Sequence, residues 1–132
     1  MNGVEHVIML LGRLAISVFF LWTAFEKIKH WKIAADFLKK KKVPYVSYVL
    51  PVSVALQAVG GVSILFGLYA HLGALLLLIY MVAHTYKMHD FWNIESSQER
   101  GMAQLNFMKD VAIIGGLLIV LAIGGGAFSV HS

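Results

Sequence analysis

The side chains most able to do chemistry fall at helical spacings along this chain. Tyr80 and His84 are one helical turn apart, and Lys87 follows on the same flank. Lys27 follows Arg13 by fourteen residues, nearly four whole turns, so both cations would lie on one face of a helix. Lysine and arginine donate hydrogen bonds, and an imidazole exchanges protons in the physiological pH range. The spacing therefore indicates a site that binds a polar molecule and moves protons.

The candidate ligand-binding residues are polar or aromatic side chains that lie in or beside apolar stretches. They are Arg13, Lys27, Gln57, His84, His89, Trp92, Gln104, Lys109 and Asp110. No metal site is predicted, because His84 and His89 are five residues apart rather than the four that place two imidazoles on one helix face. The absence of cysteine excludes thiolate metal sites and cysteine-ligated clusters. We therefore predict no intrinsic cofactor. Any redox chemistry would use a diffusible or non-covalent cofactor, or a partner protein.

The elements that position these residues follow from composition. Of 132 residues, 59% are hydrophobic and 14% are charged, and the mean hydropathy is +0.76. Soluble domains have roughly 45–50% apolar and about 25% charged residues. A chain this short could not bury so much apolar surface in a water-soluble globule. We therefore predict a single integral membrane domain over residues 1–132.

The apolar runs predict an all-α, four-helix membrane bundle with helices at about 7–28, 46–68, 71–87 and 103–127. A membrane-spanning helix needs about 20 mostly apolar residues. Residues 45–86 contain no Asp, Glu, Lys or Arg. This uncharged stretch is too long for one span and has the length of two. The break between those two falls at residues 67–73, where glycines permit a tight turn.

The basic residues predict the orientation in the membrane. All of the eleven Lys and Arg residues except Arg13 lie at or beside the loops that join helices 1–2 and 3–4. The positive-inside rule places both loops in the cytoplasm and both termini outside. The net charge of +4 then reflects orientation and attraction to anionic lipid rather than nucleic-acid binding. Lys27, His84, His89, Lys109 and Asp110 would all lie toward the cytoplasmic side.

Several polar residues have two open interpretations. Arg13 either extends to the outer interface or faces inward as a cation that holds a ligand. Gln57, with Ser53 and Gly60 on one stripe of helix 2, either belongs to a packing face or binds a molecule. The aromatic and lysine-rich first loop, residues 29–45, is either a segment lying at the interface or a solvated basic loop.

The order of several motifs resembles the DoxX family of small bacterial membrane proteins over nearly the whole chain. The motifs are Arg13, Phe25-Glu26-Lys27, Val43-Pro44, Gly60-Gly61, His89-Asp90-Phe91-Trp92, and residues 104–110 leading into Gly115-Gly116. The resemblance implies a four-helix bundle in a bacterial inner membrane, linked to quinone redox chemistry or to membrane complexes that handle oxidative stress. The family usually has an acidic residue where this chain has Gln57, and Lys-Asn where this chain has Lys109-Asp110. A direct pair between Arg13 and Asp110 is not expected, because they would lie at different depths.

Two functions follow as hypotheses. The first is a quinone-associated subunit of a membrane redox complex, with donors from Lys27, His84, Gln104 or Lys109 and ring stacking on Trp92. The second is a scaffold or assembly factor whose lysine-rich cytoplasmic face docks a soluble partner. Glycines on helices 2 and 4 would also suit a homodimer within the lipid bilayer. An enzymatic role, as an oxidoreductase subunit that acts with a partner, follows only from the first hypothesis.

Overall fold

The computed structural model describes residues 3–88 and 91–124. Within this part the chain forms five α-helices and no β-strand, which confirms the all-α prediction. The helices are α1 (Gly3–Lys29), α2 (Trp31–Lys40), α3 (Val46–Phe66), α4 (Ala70–Met88) and α5 (Ser97–Ile123). A single 3₁₀ turn, Phe91–Asn93, precedes α5.

The predicted count of four helices was wrong, because the lysine-rich first loop contains α2. This helix has 10 residues, a length of roughly 15 Å that is too short to cross a bilayer. Its exposed side chains mix lysines with Trp31, Ile33 and Phe37. The hydropathy pattern that located the spans could not detect it, since α2 is amphipathic rather than apolar.

Among the described residues, three helices, α1, α3 and α5, are long and apolar enough to cross a membrane. The fourth long helix, α4, has 19 residues and falls outside that set. His71, His84 and Lys87 lower its mean hydropathy. It nevertheless lies between α3 and α5 and contacts both along its length, so it belongs to the same bundle.

The helix boundaries differ from the predicted ones for local reasons. Helix α5 begins at Ser97 instead of residue 103 because Ser96 caps it, with Oγ accepting from the Glu99 amide at 3.5 Å. Its predicted end at residue 127 lies outside the described residues. Helix α3 ends at Phe66 because Gly67 adopts the left-handed conformation, with φ of +67°. The predicted glycine turn between α3 and α4 is thus confirmed.

The four long helices form a bundle in which sequential long helices run antiparallel. Helix α1 packs on α3, α3 on α4 and α4 on α5, while α1 and α5 touch much less. Phe20, Ile64, Leu77 and Leu117 belong to one fully buried core. Gly60 brings α3 close to α4, since a Cβ there would lie 2.6 Å from Cγ of Leu77.

The bundle has two distinct ends. The turn end contains the start of α1, the turn at residues 67–69 and the end of α5. The lysine end contains the end of α1, helix α2, the start of α3, the end of α4 and the start of α5.

Candidate functional site

A chain of polar contacts runs through the interior of the bundle. Nζ of Lys27 donates to Oε1 of Gln57 at 2.7 Å and to the Tyr80 hydroxyl at 2.6 Å. Nε2 of Gln57 donates to Oγ1 of Thr23 at 2.5 Å. The Tyr80 hydroxyl lies 3.2 Å from Nδ1 of His84. Three helices, α1, α3 and α4, therefore converge on one hydrogen-bonded cluster.

The position of Lys27 follows from helix geometry. Side chains of a helix tilt toward its N-terminus, so a lysine two residues before the end of α1 reaches back into the bundle. Gln57 is eleven residues into the 21-residue α3 and is 1% exposed. The ammonium therefore sits near the middle of α3 and not at the surface. It also lies 4.6 Å from the centre of the Tyr80 ring, which adds a cation–π contact.

A cavity of about 370 Å³ opens beside this cluster, between α3 and α4. Lys27, Tyr80 and His84 line it as polar groups, and most of its remaining wall is apolar. Leu38 of α2 and Val43, which follows that helix, cover it at the lysine end.

The cavity opens on the lipid-facing surface of the bundle. Tyr48, Val52 and Ile79 line its rim and are each more than half exposed. Large apolar side chains exposed on a membrane-spanning bundle face the hydrocarbon. An amphipathic molecule could thus enter sideways from the bilayer and place its polar end on the cluster.

The cluster can donate hydrogen bonds and pass protons. A lysine ammonium has three N–H donors, and two of those of Lys27 are used by Gln57 and Tyr80. The third is suited to an acceptor in the cavity. Tyr80 and His84 are also stacked, with ring centres 5.4 Å apart. Their hydroxyl-to-imidazole contact supplies a path for a proton along α4 toward the lysine end.

Of the nine sequence-predicted residues, the structure brings three together at this cluster. Lys27 and His84 line the cavity, and Gln57 holds the Lys27 ammonium. The full burial of Gln57 beside Gly60 also agrees with the packing-face interpretation of this helix.

Arg13 and Asp110 lie elsewhere in the bundle. Arg13 is 1% exposed, and its Nη1 donates to the Ile64 carbonyl oxygen at 3.3 Å, near the turn end. Its burial agrees with the inward-facing interpretation. Asp110 is also buried, and Oδ2 accepts from the Thr85 hydroxyl at 3.0 Å, toward the lysine end. The two residues thus lie toward opposite ends, in line with the expectation that they do not form a direct pair.

The other candidates are placed away from the cavity or cannot be placed. Gln104 and Lys109 are exposed on α5, and neither lines the cavity. Trp92 is about half exposed and packs edge-on against Phe107, with ring centres 5.7 Å apart. His89 falls outside the described residues. The roles suggested for these four stay predictions.

The list of nine candidates omitted Tyr80, although its spacing from His84 was noted, and also omitted Thr23 and Thr85. Each lies near one turn of a helix from a residue that was considered: Tyr80 and His84 are four apart, and so are Thr23 and Lys27. A hydroxyl four residues from an ionisable group on an apolar helix is a usable signal for a shared polar site. Thr85 is also four residues from the candidate His89, but its partner Asp110 is on another helix, and spacing along one helix does not predict that contact.

Comparison with known proteins places the chain in a family. The DoxX family model matches residues 8–90. The chain belongs to the DoxX family. This confirms the resemblance, and the matched range contains Lys27, Gln57, Tyr80 and His84, while Lys109 and Asp110 lie beyond it.

Two relatives come from Escherichia coli K12. The chain is 28% identical to inner membrane protein YqjF over 130 residues, which cover 98% of this chain and 94% of the relative. It is 23% identical to inner membrane protein YphA over 128 residues, which cover 97% of this chain and 91% of the relative. No solved structure matches.

Proposed function

We propose that this DoxX-family protein is a quinone-binding subunit of a membrane redox complex. The observation that carries the proposal is the lipid-facing cavity with Lys27, Tyr80 and His84 at its polar end. A quinone has carbonyl oxygens that accept hydrogen bonds and an apolar tail that stays in the bilayer. The cavity has polar donors for the carbonyl oxygens at one end and an apolar, lipid-facing wall for the tail.

The residues present fit such a ligand in size and donor chemistry. The cavity volume of about 370 Å³ falls within the roughly 300–1,000 Å³ of small-molecule sites. The third N–H of Lys27 is suited to one carbonyl oxygen. The apolar walls, including Val52, Leu56 and Ile79, suit the ring and the first part of a tail.

Each side chain would have a separate task. Lys27 binds and orients the carbonyl end, and Gln57 with Thr23 fixes the ammonium in place. Tyr80 and His84 hold or move a proton at the Tyr80 hydroxyl and His84 Nδ1. Leu38 and Val43 exclude water from the lysine end. A bound quinone would supply the two-electron, two-proton chemistry, with the electrons delivered by a soluble or membrane partner.

We place the protein in a bacterial inner membrane with both termini outside. Both curated relatives are named inner membrane proteins, and the lysine-rich loops predict the orientation. This puts the lysine end, and with it His84, on the cytoplasmic side.

A homodimer also stays a prediction. Gly60 and Gly61 pack within the chain, against Leu77 and Leu21, so a dimer contact would involve the glycines of α5 instead.

The second candidate function is a scaffold that docks a soluble partner. It is favoured by α2, which exposes Lys32, Lys39 and Lys40 beside Ile33, itself 68% exposed. Neutralising the run Lys39–Lys42 would then abolish partner capture while leaving the cavity intact. Under the quinone proposal the same change leaves ligand content unaltered.

The proposal is tested by mass spectrometry of organic extracts from protein purified in mild detergent. We expect near-stoichiometric quinone in the unmodified protein. Lys27→Met and Tyr80→Phe should each lower quinone retention, roughly tenfold or more for Lys27→Met, because a hydrogen bond from a charged donor is lost. Lys29→Met is the matched control, since Lys29 is on the same helix but is exposed.

Two outcomes would contradict the proposal. Absence of quinone from the unmodified protein would rule out a site that binds quinone tightly. Loss of quinone in Lys109→Met, with full retention in Lys27→Met, would show that quinone binds at the exposed face of α5 and not in the cavity. Circular dichroism of each variant shows whether the helical bundle is intact.

A further inference from the structure

Helix α2 has three different sides. Its charged side chains fall within a single arc of roughly 100° around the helix axis. They are Lys32, Asp36, Lys39 and Lys40. On another side the half-buried Leu38 faces the bundle and lines the cavity. Between these two sides lies an exposed apolar flank of Ile33 and Phe37, which are one helical turn apart.

The apolar flank of α2 is not covered by the bundle. Helix α2 packs on α1 and α3, and none of its ten residues, all of which the structure describes, is fully buried. Ile33 is 68% exposed and Phe37 is 46% exposed. Apolar surface of this kind is unfavourable in water. The flank therefore suits an apolar environment outside the chain.

The position of α2 in the fold places this flank at the edge of the membrane. Helix α2 begins two residues after α1 ends, and α3 begins six residues after α2 ends. Phe25 and Ile28, near the end of α1, and Tyr48, at the start of α3, are all more than half exposed. The lipid-facing surface of the bundle thus reaches both helices on which α2 packs. A short amphipathic helix in this position is suited to lie in the membrane interface.

The charge of this segment favours anionic lipid. Residues 29–42 contain six lysines and one acidic residue, Asp36, and a single carboxylate offsets only one of those charges. The preceding acidic residue, Glu26, lies 3.7 Å from Nε2 of His30. Clustered lysines beside an apolar flank attract anionic headgroups. An acidic soluble protein would match the lysines, but the membrane already adjoins the apolar flank, so lipid matches both sides of the helix.

We propose that α2 is a membrane-surface helix that binds anionic phospholipid headgroups at the lysine end of the bundle. Ile33 and Phe37 enter the acyl boundary, the lysines of the charged arc contact the headgroups, and the opposite side of the helix stays against the bundle. The first loop is then an interfacial segment and not a solvated one. Anionic lipid occupies the surface that a soluble partner would need under the scaffold hypothesis. The contact does not depend on the proposed quinone function.

The test uses a fluorophore at single cysteines, because the chain has none of its own. Full-length protein carries the polarity-sensitive NBD group at Phe37→Cys or, as the matched control on the charged arc, at Asp36→Cys. Each protein is reconstituted in vesicles of phosphatidylcholine alone or of equal phosphatidylcholine and phosphatidylglycerol. We expect phosphatidylglycerol to raise the emission of the Phe37→Cys probe about twofold or more, and about 1 M salt to reverse the rise by screening the charges. The Asp36→Cys probe should change little, because it stays in water.

A second set of variants tests the lysines. Lys32→Gln, Lys39→Gln and Lys40→Gln, combined with Phe37→Cys, should remove most of the rise in emission. The same three positions changed to arginine keep the charge and should keep the rise. Lys27→Met, which is expected to lower quinone retention, should also keep it. Failure of the lipid contact and failure of the quinone proposal are therefore distinguishable.

Three results would overturn the proposal. Equal emission of the Phe37→Cys probe in the two kinds of vesicle would exclude a contact that depends on anionic lipid, and a rise that persists in the glutamine variant would exclude the lysines as its cause. Equal emission of the two probes in phosphatidylglycerol vesicles would show that no one side of α2 faces lipid, leaving a soluble partner as the occupant. Circular dichroism shows whether the bundle is intact in each variant.

Discussion

Nζ of Lys27 lies 2.7 Å from Oε1 of Gln57, although Lys27 is near the end of α1 and Gln57 is in the middle of α3. The contact ties two antiparallel helices together at the depth where a charge is most costly. It also directs the ammonium toward Tyr80 and the lipid-facing cavity. One pair of side chains therefore contributes both to helix packing and to the candidate site.

Replacing Gln57 with leucine should destabilise the bundle. The change leaves Lys27 and Thr23 without the amide that bridges them, a loss of about 1–3 kcal/mol for buried polar groups. Thermal unfolding in detergent, followed by circular dichroism, should show a lower Tm. Gln104→Leu is the matched control, since Gln104 is exposed. Equal Tm values for the two variants would contradict a structural role for the bridge.

Because α3 and α4 approach closely at Gly60, alanine substitutions at Gly60 and at Gly115 should have very different effects on the free energy of unfolding. Gly60→Ala should cost about 1–3 kcal/mol, because its Cβ would lie 2.6 Å from Cγ of Leu77. Gly115→Ala should be neutral or stabilising by roughly 0.5–1 kcal/mol, since alanine favours the helix and the site is open. Unfolding in increasing denaturing detergent measures both. A Gly60→Ala protein as stable as the unmodified one would show that Leu77 moves aside without cost.

The Thr85–Asp110 hydrogen bond should stabilise the contact between α4 and α5. Thr85→Val keeps the shape of the side chain and removes the hydroxyl that donates to Asp110 at 3.0 Å. Because the acceptor is a buried carboxyl group, the expected loss is about 1–3 kcal/mol of unfolding free energy. Thr85→Ser retains the donor and should lose much less. Indistinguishable unfolding of the two variants would argue against this bond.

The proposed orientation can be checked with single cysteines, because the chain contains none of its own. Lys40→Cys on α2 should react with a membrane-impermeant maleimide only after the cells are permeabilised. Gly3→Cys at the start of α1 should react in spheroplasts with an intact inner membrane. The reverse pattern would invert the topology and place the lysine end outside.

Much of the fold could be predicted from residue types and spacing. Hydropathy located α1, α3 and α5, and the glycines at 67 and 73 located the turn between α3 and α4. The face of α1 shared by Arg13 and Lys27 was predicted from spacing, and the structure buries Arg13, Ser17 and Phe20 on it. Helix α2 was missed because its amphipathic residues resemble a charged loop, and the start of α5 was placed too late because charged residues were excluded from it.

The candidate site was only partly predictable. The sequence by itself determined that the chain is an all-α membrane protein with a few costly polar residues, since hydropathy and helical period act within each segment. It did not distinguish Lys27, which faces the cavity, from Lys109, which is exposed on α5. That choice depends on how each helix is rotated against its neighbours, which is set by side-chain packing between segments distant in the chain. Only the tertiary structure brought Lys27, Gln57 and Tyr80 to one place and left Arg13 apart from them, near the turn end.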